Sequence, residues 1–363
     1  MHNEAKEQHV FMKYNPDRSK LKCTDHFDEL ARTLATKLVG QPSAIQAIIP
    51  YVQMHQACLA PEGRPVGVFL LLGPTGTGKT KTVEALAEVL HGSAKKMLKV
   101  DCGEFQMEHE VAKLIGAPPG YLGHRETQPM LTQQKVNSVA SETNDLSIVL
   151  FDEIEKAASS MTRLLLGVLD KATLRLGDNN TVNFEKTLVF MTSNLGARNM
   201  NKELMPDFGF EALLPHENAA RKHRKLEQIA MNAVRRRFAP EFVNRVDSII
   251  TYQPLNAEAM AAILDQQLVE IQHHLDRRLG MRSFRLEVPA KTRRFLLRKG
   301  TSEEYGAREL KRTLHRQVMQ TLSTLLACGQ IPPGSTIRAE VNTPAEKLVM
   351  KNIAEPDALC PAC

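Results

Sequence analysis

The chain has 363 residues, of which 42% are hydrophobic and 24% charged, as in ordinary soluble proteins of about two domains. This composition excludes a disordered or fibrous chain, and no apolar run approaches the roughly 18 residues that cross a bilayer. The formal net charge of +6 is modest, although basic residues concentrate in RKHRK (221–225) and RRR (235–237). The N-terminal MHNEAKEQHVFMKY lacks the apolar segment of a secretory signal, so we expect a cytoplasmic protein with no membrane contact.

Short apolar runs alternate with helical patterns over the first part of the chain. The runs are VGVFLLL (66–72), MLKVD (97–101), SIVLFD (147–152) and TLVFMT (187–192). Uninterrupted apolar strands suit a parallel sheet that is covered on both faces. KTVEALAEVLHG follows the first run with its apolar residues on one helical face, and Gly92 is expected to end that helix. This order of strand, loop and helix predicts an α/β fold.

The pattern changes in the second half of the chain. A turn-rich stretch at 198–218 is followed by a long amphipathic helix, and SIITYQPL (248–255) has the character of a final strand. Helical patterns dominate from about 256, with short strands in FRLEV and STIRAEV. We therefore predict four segments: an N-terminal arm (1–34), a large α/β domain (35–254), a small, mainly helical domain (255–342) and a C-terminal tail (343–363).

Cysteine usage points to no metal or disulfide framework. The six cysteines are scattered, and the terminal CPAC has no second CxxC to complete a four-thiolate zinc site. We expect the first four to be reduced and mainly structural. A redox or metal role for CPAC remains the weaker alternative.

The stretch GPTGTGKT matches the phosphate-binding motif G-x-x-x-x-G-K-[ST], with a strand before it and a helix after it. Its backbone N–H groups and the positive end of the helix dipole can surround phosphate oxygens. Lys79 would reach the β- and γ-phosphates, and Thr80 would bind Mg²⁺. The phosphate-binding loop (P-loop) consists of Gly73, Pro74, Thr75, Gly76, Thr77, Gly78, Lys79 and Thr80.

Polar residues also end two other predicted strands. In SIVLFDEIEK, Asp152 fits a Mg²⁺ ligand, and Glu153 fits a base that polarises the attacking water. The alternative for this pair is a strand end that meets a solvated loop. Asn194, after MTS, would lie at the same sheet edge and could hydrogen-bond water or phosphate, or only cap the following turn.

These motifs, in this order, resemble the AAA+ ATPases, and in detail the C-terminal ATPase module of the Clp family of ring-forming unfoldases and disaggregases. The resemblance extends from about Leu38 to Val341 and includes LVGQ, HEVAKLIGAPPGYLG, IVLFDEIEKA, MTSNLGA, FAPEFVNRVD and YGARELKR. It implies a large αβα domain with a parallel sheet, followed by a small helical lid. It also implies ATP and Mg²⁺ as cofactors, and a homo-hexameric ring that threads polypeptide substrates through a central pore.

The resemblance assigns roles to individual residues. It places Val39 at the nucleotide, makes Asn194 the sensor of the γ-phosphate, and makes Arg245 the finger that reaches a neighbouring subunit's nucleotide. Arg308 becomes the lid-borne sensor. A planar, permanently charged guanidinium suits the charge on transferring phosphoryl oxygens, although either arginine by itself could be a surface ion-pair residue.

Two further roles follow from the resemblance. Tyr121 and Leu122 of GYLG correspond to the pore loop that grips the threaded chain; the alternative is an aromatic packed under its own loop. The sequence departs from the family after this point, where HRETQPM replaces acidic residues and a Gly-Gly, and again at Lys171. Both departures make the expected pore more basic.

Peptidase-coupled relatives dock their protease through a hydrophobic-Gly-hydrophobic loop. Phe208, Gly209 and Phe210 lie in the corresponding interval, so docking of a Clp-type peptidase is a hypothesis beside that of a locally buried turn. The alternative to a protein-remodelling ATPase is a nucleic-acid-associated AAA+ loader or remodeller, which the basic segments 221–225 and 235–237 would suit.

Overall fold

A computed structural model describes residues 20–116, 129–204, 219–301, 306–342 and 347–353. The helices of the first part of the chain are α1 (Lys20–Lys37), α2 (Pro42–Gln56), α3 (Lys79–His91), α4 (Val111–Ile115), α5 (Gln133–Ser138), α6 (Ser159–Lys171), α7 (Ala197–Leu204), α8 (Ala219–Arg237) and α9 (Pro240–Val243). Its strands are β1 (Gly67–Leu72), β2 (Leu98–Asp101), β3 (Ser147–Asp152), β4 (Thr173–Arg175), β5 (Thr181–Asn183), β6 (Thr187–Ser193) and β7 (Ser248–Thr251).

Five of these strands form a parallel sheet in the order β2-β3-β6-β1-β7, while β4 and β5 form a separate hairpin. Strand β1 is buried along its whole length, as its apolar sequence predicts. Its side chains alternate between two cores: Val68, Leu70 and Leu72 join one, and Phe69 and Leu71 join the other. The sheet is therefore covered on both faces, which confirms the predicted α/β fold.

Helix α3 shows how the local sequence sets an element's end. Val83, Leu86, Ala87 and Leu90 are all buried. The helix stops at Gly92, whose φ of 74° is left-handed and whose N–H donates to the carbonyl oxygen of Glu88. The helix thereby carries the chain away from the P-loop and packs back against the sheet.

The second part of the chain packs around its own hydrophobic core. It comprises α10 (Ala257–Leu279), β8 (Arg285–Glu287), α11 (Ala290–Gly300), α12 (Ala307–Leu314), α13 (Gln320–Ala327), β9 (Thr336–Asn342) and β10 (Lys347–Ile353). One π-helical turn, His315–Met319, connects α12 to α13. The three strands form a sheet in the order β10-β9-β8. This arrangement is the expected small, mainly helical domain, which we call the lid.

Two elements of the fold lie partly or wholly within the segments predicted as the N-terminal arm and the C-terminal tail. Helix α1 begins at Lys20, inside the predicted arm 1–34, because apolar side chains at helical spacing, including Leu30 and the buried Leu34, pack on the large-domain core. Strand β10 lies inside the predicted tail 343–363 and pairs antiparallel with β9. Its Leu348 is buried in the lid core and Met350 packs beside it, so KLVMKNI belongs to the lid sheet.

Within the described ranges, no helix is long and apolar enough to cross a membrane. The cysteines described there, Cys58, Cys102 and Cys328, are free thiols. Burial raises the pKa of the Cys102 thiol well above its usual range, so this group stays protonated.

Candidate nucleotide site

The P-loop runs from the end of β1 to the start of α3, and its geometry requires glycine at two positions. Gly73 has φ +147°, and a Cβ there would lie 2.7 Å from the carbonyl oxygen of Tyr252. Gly78 is left-handed at φ +105° directly before α3. The loop can therefore turn tightly and present the N-terminus of α3 to an anion.

Lys79 extends back along the P-loop. Its Nζ donates to the carbonyl oxygens of Gly73 and Pro74 at 2.6 and 2.9 Å, and to Oδ1 of Asn194 at 2.9 Å. Only 8% of the residue is exposed. Burial lowers its pKa to about 8, although the nearby carboxylates of Glu155 and Asp152 partly oppose this change. The ammonium therefore sits in a dry site where phosphate oxygens would be strong partners.

Asp152 ends β3 with both carboxylate oxygens engaged. The hydroxyl of Thr192 donates to Oδ1, and Nζ of Lys99 lies 2.6 Å from Oδ2. Burial by itself would raise the pKa of Asp152, but the hydrogen bonds from Lys99 and Thr192 bring it below the usual value. The residue thus remains an anion. Together with the hydroxyl of Thr80, which lines the same cleft, it offers the oxygen ligands that suit Mg²⁺.

Glu153 adopts a left-handed backbone, with φ 57° and ψ 48°, which is unusual for a residue other than glycine. Its N–H donates to Oγ1 of Thr192 at 3.0 Å, and its Oε2 lies 2.5 Å from Nζ of Lys156. Backbone strain of this kind costs about 1–3 kcal/mol and is concentrated at functional sites. Glu153 lines the cleft, so the strained residue belongs to the candidate site.

Asn194 connects the other groups. Its Nδ2 donates to Oε1 of Glu153 at 3.3 Å, its Oδ1 accepts from Lys79, and its N–H donates to Oε1 of Glu155 at 3.0 Å. The side chain thus bonds to the groups of the cleft rather than to the following turn. The carboxyl ends of β3 and β6 therefore bring together Asp152, Glu153 and Asn194, the three groups that the sequence predicted at one sheet edge.

The lid forms the other wall of the cleft. Arg308 of α12 lines it, and the N–H of Ala307 donates to the carbonyl oxygen of Gly76 at 3.2 Å. The remaining members of the predicted set that line the cleft are Val39, Thr75, Gly76, Thr77, Gly78 and Thr80. Leu38, Leu255 and Ile263 give one part of the wall an apolar character that suits a nucleotide base.

Sequence reasoning missed several residues that support the site. Gln41 is 2% exposed, and its Nε2 donates to the carbonyl oxygens of Thr77 and Gln253 at 3.1 and 2.8 Å. It ties the P-loop to the segment that leads into the lid. Its place in LVGQ was the available signal. The sequence around Lys99 gave no such signal. Thr192 lies on β6 two residues before Asn194, which is the spacing at which side chains point to the same face of a strand.

Arg245 lies apart from this cleft. The described residues that line the cleft do not include Arg245. The Nη1 atom of Arg245 lies 2.6 Å from Oδ1 of Asp170 at the end of α6. About 40% of the arginine side chain is exposed. The position is compatible with contact to another subunit, and it also matches the surface ion pair that we kept as an alternative.

Some predicted residues have no structural test. Tyr121 and Leu122 of the pore loop, and Phe208, Gly209 and Phe210 of the docking hypothesis, lie outside the described residues. Of the basic segments behind the nucleic-acid alternative, 221–223 have no described side chains, and Arg237 bonds to the chain's own backbone rather than only to solvent.

Comparisons with known proteins identify both parts of the chain. The family described as AAA domain (Cdc48 subfamily) matches residues 64–249, and the C-terminal, D2-small domain, of ClpB protein matches residues 255–339. The two matched ranges are separated by residues 250–254, just before the lid.

Individual proteins agree with these matches. The chaperone protein ClpB of Mycobacterium leprae is 35% identical over 317 residues, covering 87% of this chain and 33% of the relative. That of Agrobacterium fabrum is 37% identical over 324 residues, covering 89% and 34%. The chain thus spans about a third of the length of these relatives.

Among solved structures, the S. cerevisiae Hsp104:casein complex in its extended conformation superposes with a TM-score of 0.75 at 28% identity, covering 89% of this chain and 52% of that one. None of these matches supports the nucleic-acid alternative. The chain therefore belongs to the AAA family of ATPases, with a large AAA domain followed by the D2-small domain of the ClpB type.

Proposed function

We propose that the protein hydrolyses ATP and uses the energy to unfold or disaggregate polypeptides, acting as a homo-hexameric ring in the cytoplasm. The observation that carries the hydrolytic part is the convergence of Lys79, Asn194 and Glu153 in one cleft beside the P-loop. Such a set can bind phosphate through Lys79 and accept a proton through Glu153.

Each residue has a task in this reaction. Lys79 exchanges its P-loop and Asn194 partners for the β- and γ-phosphate oxygens. Thr80 and Asp152 would hold Mg²⁺, which neutralises charge on the phosphates when bound. Glu153 accepts a proton from the attacking water, and Asn194, which already contacts Glu153, orients that water. Arg308 approaches the phosphates from the lid, and Arg245 is assigned to the neighbouring subunit's nucleotide.

The polypeptide substrate is supported by the relatives. ClpB is described as a chaperone protein, and Hsp104 was solved in a complex with casein. Tyr121 and Leu122 are the residues we assign to the gripping loop. Docking of a Clp-type peptidase at Phe208, Gly209 and Phe210 stays a separate hypothesis; binding to such a peptidase that survives Phe210→Ala unchanged would refute it.

The hydrolytic proposal is tested with Glu153→Gln and, as a control, Glu104→Gln, which changes an exposed carboxylate away from the cleft. Glu153→Gln should keep ATP bound but lower steady-state hydrolysis by about 10²–10⁴-fold, because the water loses its base. Glu104→Gln should match the wild type. Undiminished hydrolysis by Glu153→Gln would contradict the assignment.

The coupling to substrate is tested separately with Tyr121→Ala. This variant should lose unfolding of a tagged model protein while it keeps most ATP hydrolysis, since the tyrosine would act on the polypeptide and not on the nucleotide. An equal loss of both activities would contradict a gripping role. Proteins trapped by Glu153→Gln and identified by mass spectrometry would then define the substrate class.

A further inference from the structure

The three consecutive arginines at the end of α8 have different environments. All three are exposed, but Arg235 and Arg236 make no hydrogen bond or ion pair within the described part of the chain. Arg237 instead reaches the loop after β3. Its Nε and Nη2 donate to the carbonyl oxygen of Glu155 at 3.0 and 2.8 Å, and Nη2 also donates to that of Ala157 at 2.9 Å.

The loop that Arg237 contacts begins at Glu153 and is bonded to Asn194. Glu153, with its left-handed backbone, is two residues before Glu155. Oε1 of Glu155 accepts the N–H of Asn194, so this one residue is bonded through its backbone to Arg237 and through its side chain to Asn194. The other carboxylate oxygen of Glu155 is buried without a hydrogen-bond partner in the described structure.

A strained backbone persists only when its surroundings over-determine it. The 3₁₀ turn that follows Glu153, Ile154–Lys156, makes few backbone bonds of its own, since Lys156 donates to Glu153 and Ala157 to Ile154. Arg237 adds three hydrogen bonds from outside the turn. The planar fork of a guanidinium can engage two carbonyl oxygens at once, which the single ammonium of lysine does less well.

We propose that Arg237 is a positioning residue for ATP hydrolysis, which braces the 153–157 loop and so fixes Glu153 and Asn194 relative to the water and the γ-phosphate. This inference rests on the proposed function, because it assumes that these two residues perform the reaction. Arg237 itself does not line the cleft and is assigned no contact with nucleotide.

The test compares Arg237→Gln with Arg236→Gln, which makes the same charge change one residue earlier on the same helix. Nucleotide affinity should change less than twofold in both variants, because the P-loop is untouched. The kcat of Arg237→Gln should fall by about 10- to 100-fold, the scale expected when catalytic groups are displaced by less than about 1 Å. Arg236→Gln should keep the wild-type kcat, and Arg237→Lys should recover part of the loss.

Three outcomes would overturn the inference. The first is a kcat for Arg237→Gln equal to that of Arg236→Gln. The second is a parallel loss of affinity and melting temperature, which would mark a purely structural role. The third is an Arg237→Lys variant that remains folded but is no more active than Arg237→Gln. Failure of the wild type itself to hydrolyse ATP would instead refute the proposed function, so the two failures are distinguishable.

Discussion

The backbone N–H of Ala307, at the first residue of α12, donates to the carbonyl oxygen of Gly76 at 3.2 Å. The lid thereby contacts the P-loop directly, without a side chain between them. The residue before it, Gly306, has φ +50°, and a Cβ there would lie 3.0 Å from the Gly76 carbonyl oxygen and 3.3 Å from that of Thr75. The close approach of lid and P-loop therefore depends on a glycine.

Replacing Gly306 with alanine should separate the lid from the P-loop and weaken ATP binding by about tenfold, equivalent to roughly 1.4 kcal/mol. The matched control is Gly280→Ala. Gly280 is also in the lid and has φ +55°, but no atom lies within 4 Å of the Cβ position. Both variants should lose stability from backbone strain, and only Gly306→Ala should lose affinity. Calorimetric titration with ATP measures this difference, and equal affinities would show that the contact does not matter for binding.

Lys79 should give ATP binding a distinct pH dependence. Burial lowers its pKa to about 8, whereas phosphate oxygens favour the charged ammonium. Below pH 8 the residue is charged both with and without ATP. Above pH 8 the free protein has lost the proton, so binding must take one up, and the affinity should fall by up to about tenfold per pH unit.

This prediction is measured by ATP titrations between pH 7 and 9.5 in buffers of different ionisation enthalpy, which report the protons taken up. Lys79→Arg is the control, because a guanidinium stays charged throughout this range. Whatever affinity that variant retains should not depend on this titration. Wild-type binding without proton uptake at pH 9 would contradict the lowered pKa of Lys79.

The sequence predicted the sheet and the groups on its strand ends because both follow from local patterns. Apolar runs mark the strands, and parallel strands bring their carboxyl ends to one edge. The supporting contacts could not be predicted in this way. Gln41 bonds to Gln253, 212 residues away, and Arg237 to Glu155, 82 residues away. Such pairs depend on the assembled fold, and three consecutive arginines give no sign of which one bonds to a distant part of the backbone.

The same limit applies to the strand near the C-terminal end. Burial alternates at the start of KLVMKNI, where Leu348 is buried and Val349 is exposed, which fits a strand with only one covered face. Polar and proline-bearing sequence surrounds it, so the composition of the whole terminal stretch favoured a tail. Pairing with β9 supplies backbone hydrogen bonds, and burial of Leu348 in the lid core supplies apolar contact. Neither contribution can be read from this segment by itself.

Arg245 should act on a neighbouring subunit's nucleotide. The ion pair with Asp170 holds the guanidinium at a partly exposed surface, outside the cleft formed by the described residues of its own chain. Arg245→Ala should therefore lower hydrolysis by about 10³–10⁵-fold while its own cleft still binds ATP. Binding and steady-state hydrolysis assays on the isolated variant test the two parts.

Mixing inactive subunits separates action across an interface from action within a chain. Lys79→Ala subunits cannot bind ATP but keep Arg245, and Arg245→Ala subunits keep an intact cleft, so mixed rings should regain hydrolysis. With random equal mixing, half of the clefts are intact and half of their neighbours carry Arg245, giving about a quarter of wild-type activity. Arg308→Ala is the matched control: Arg308 lines its own chain's cleft, so mixing that variant with Lys79→Ala leaves no complete site and should restore nothing. Equal recovery in both mixtures, or none in either, would contradict the assignment of Arg245 to the neighbouring site.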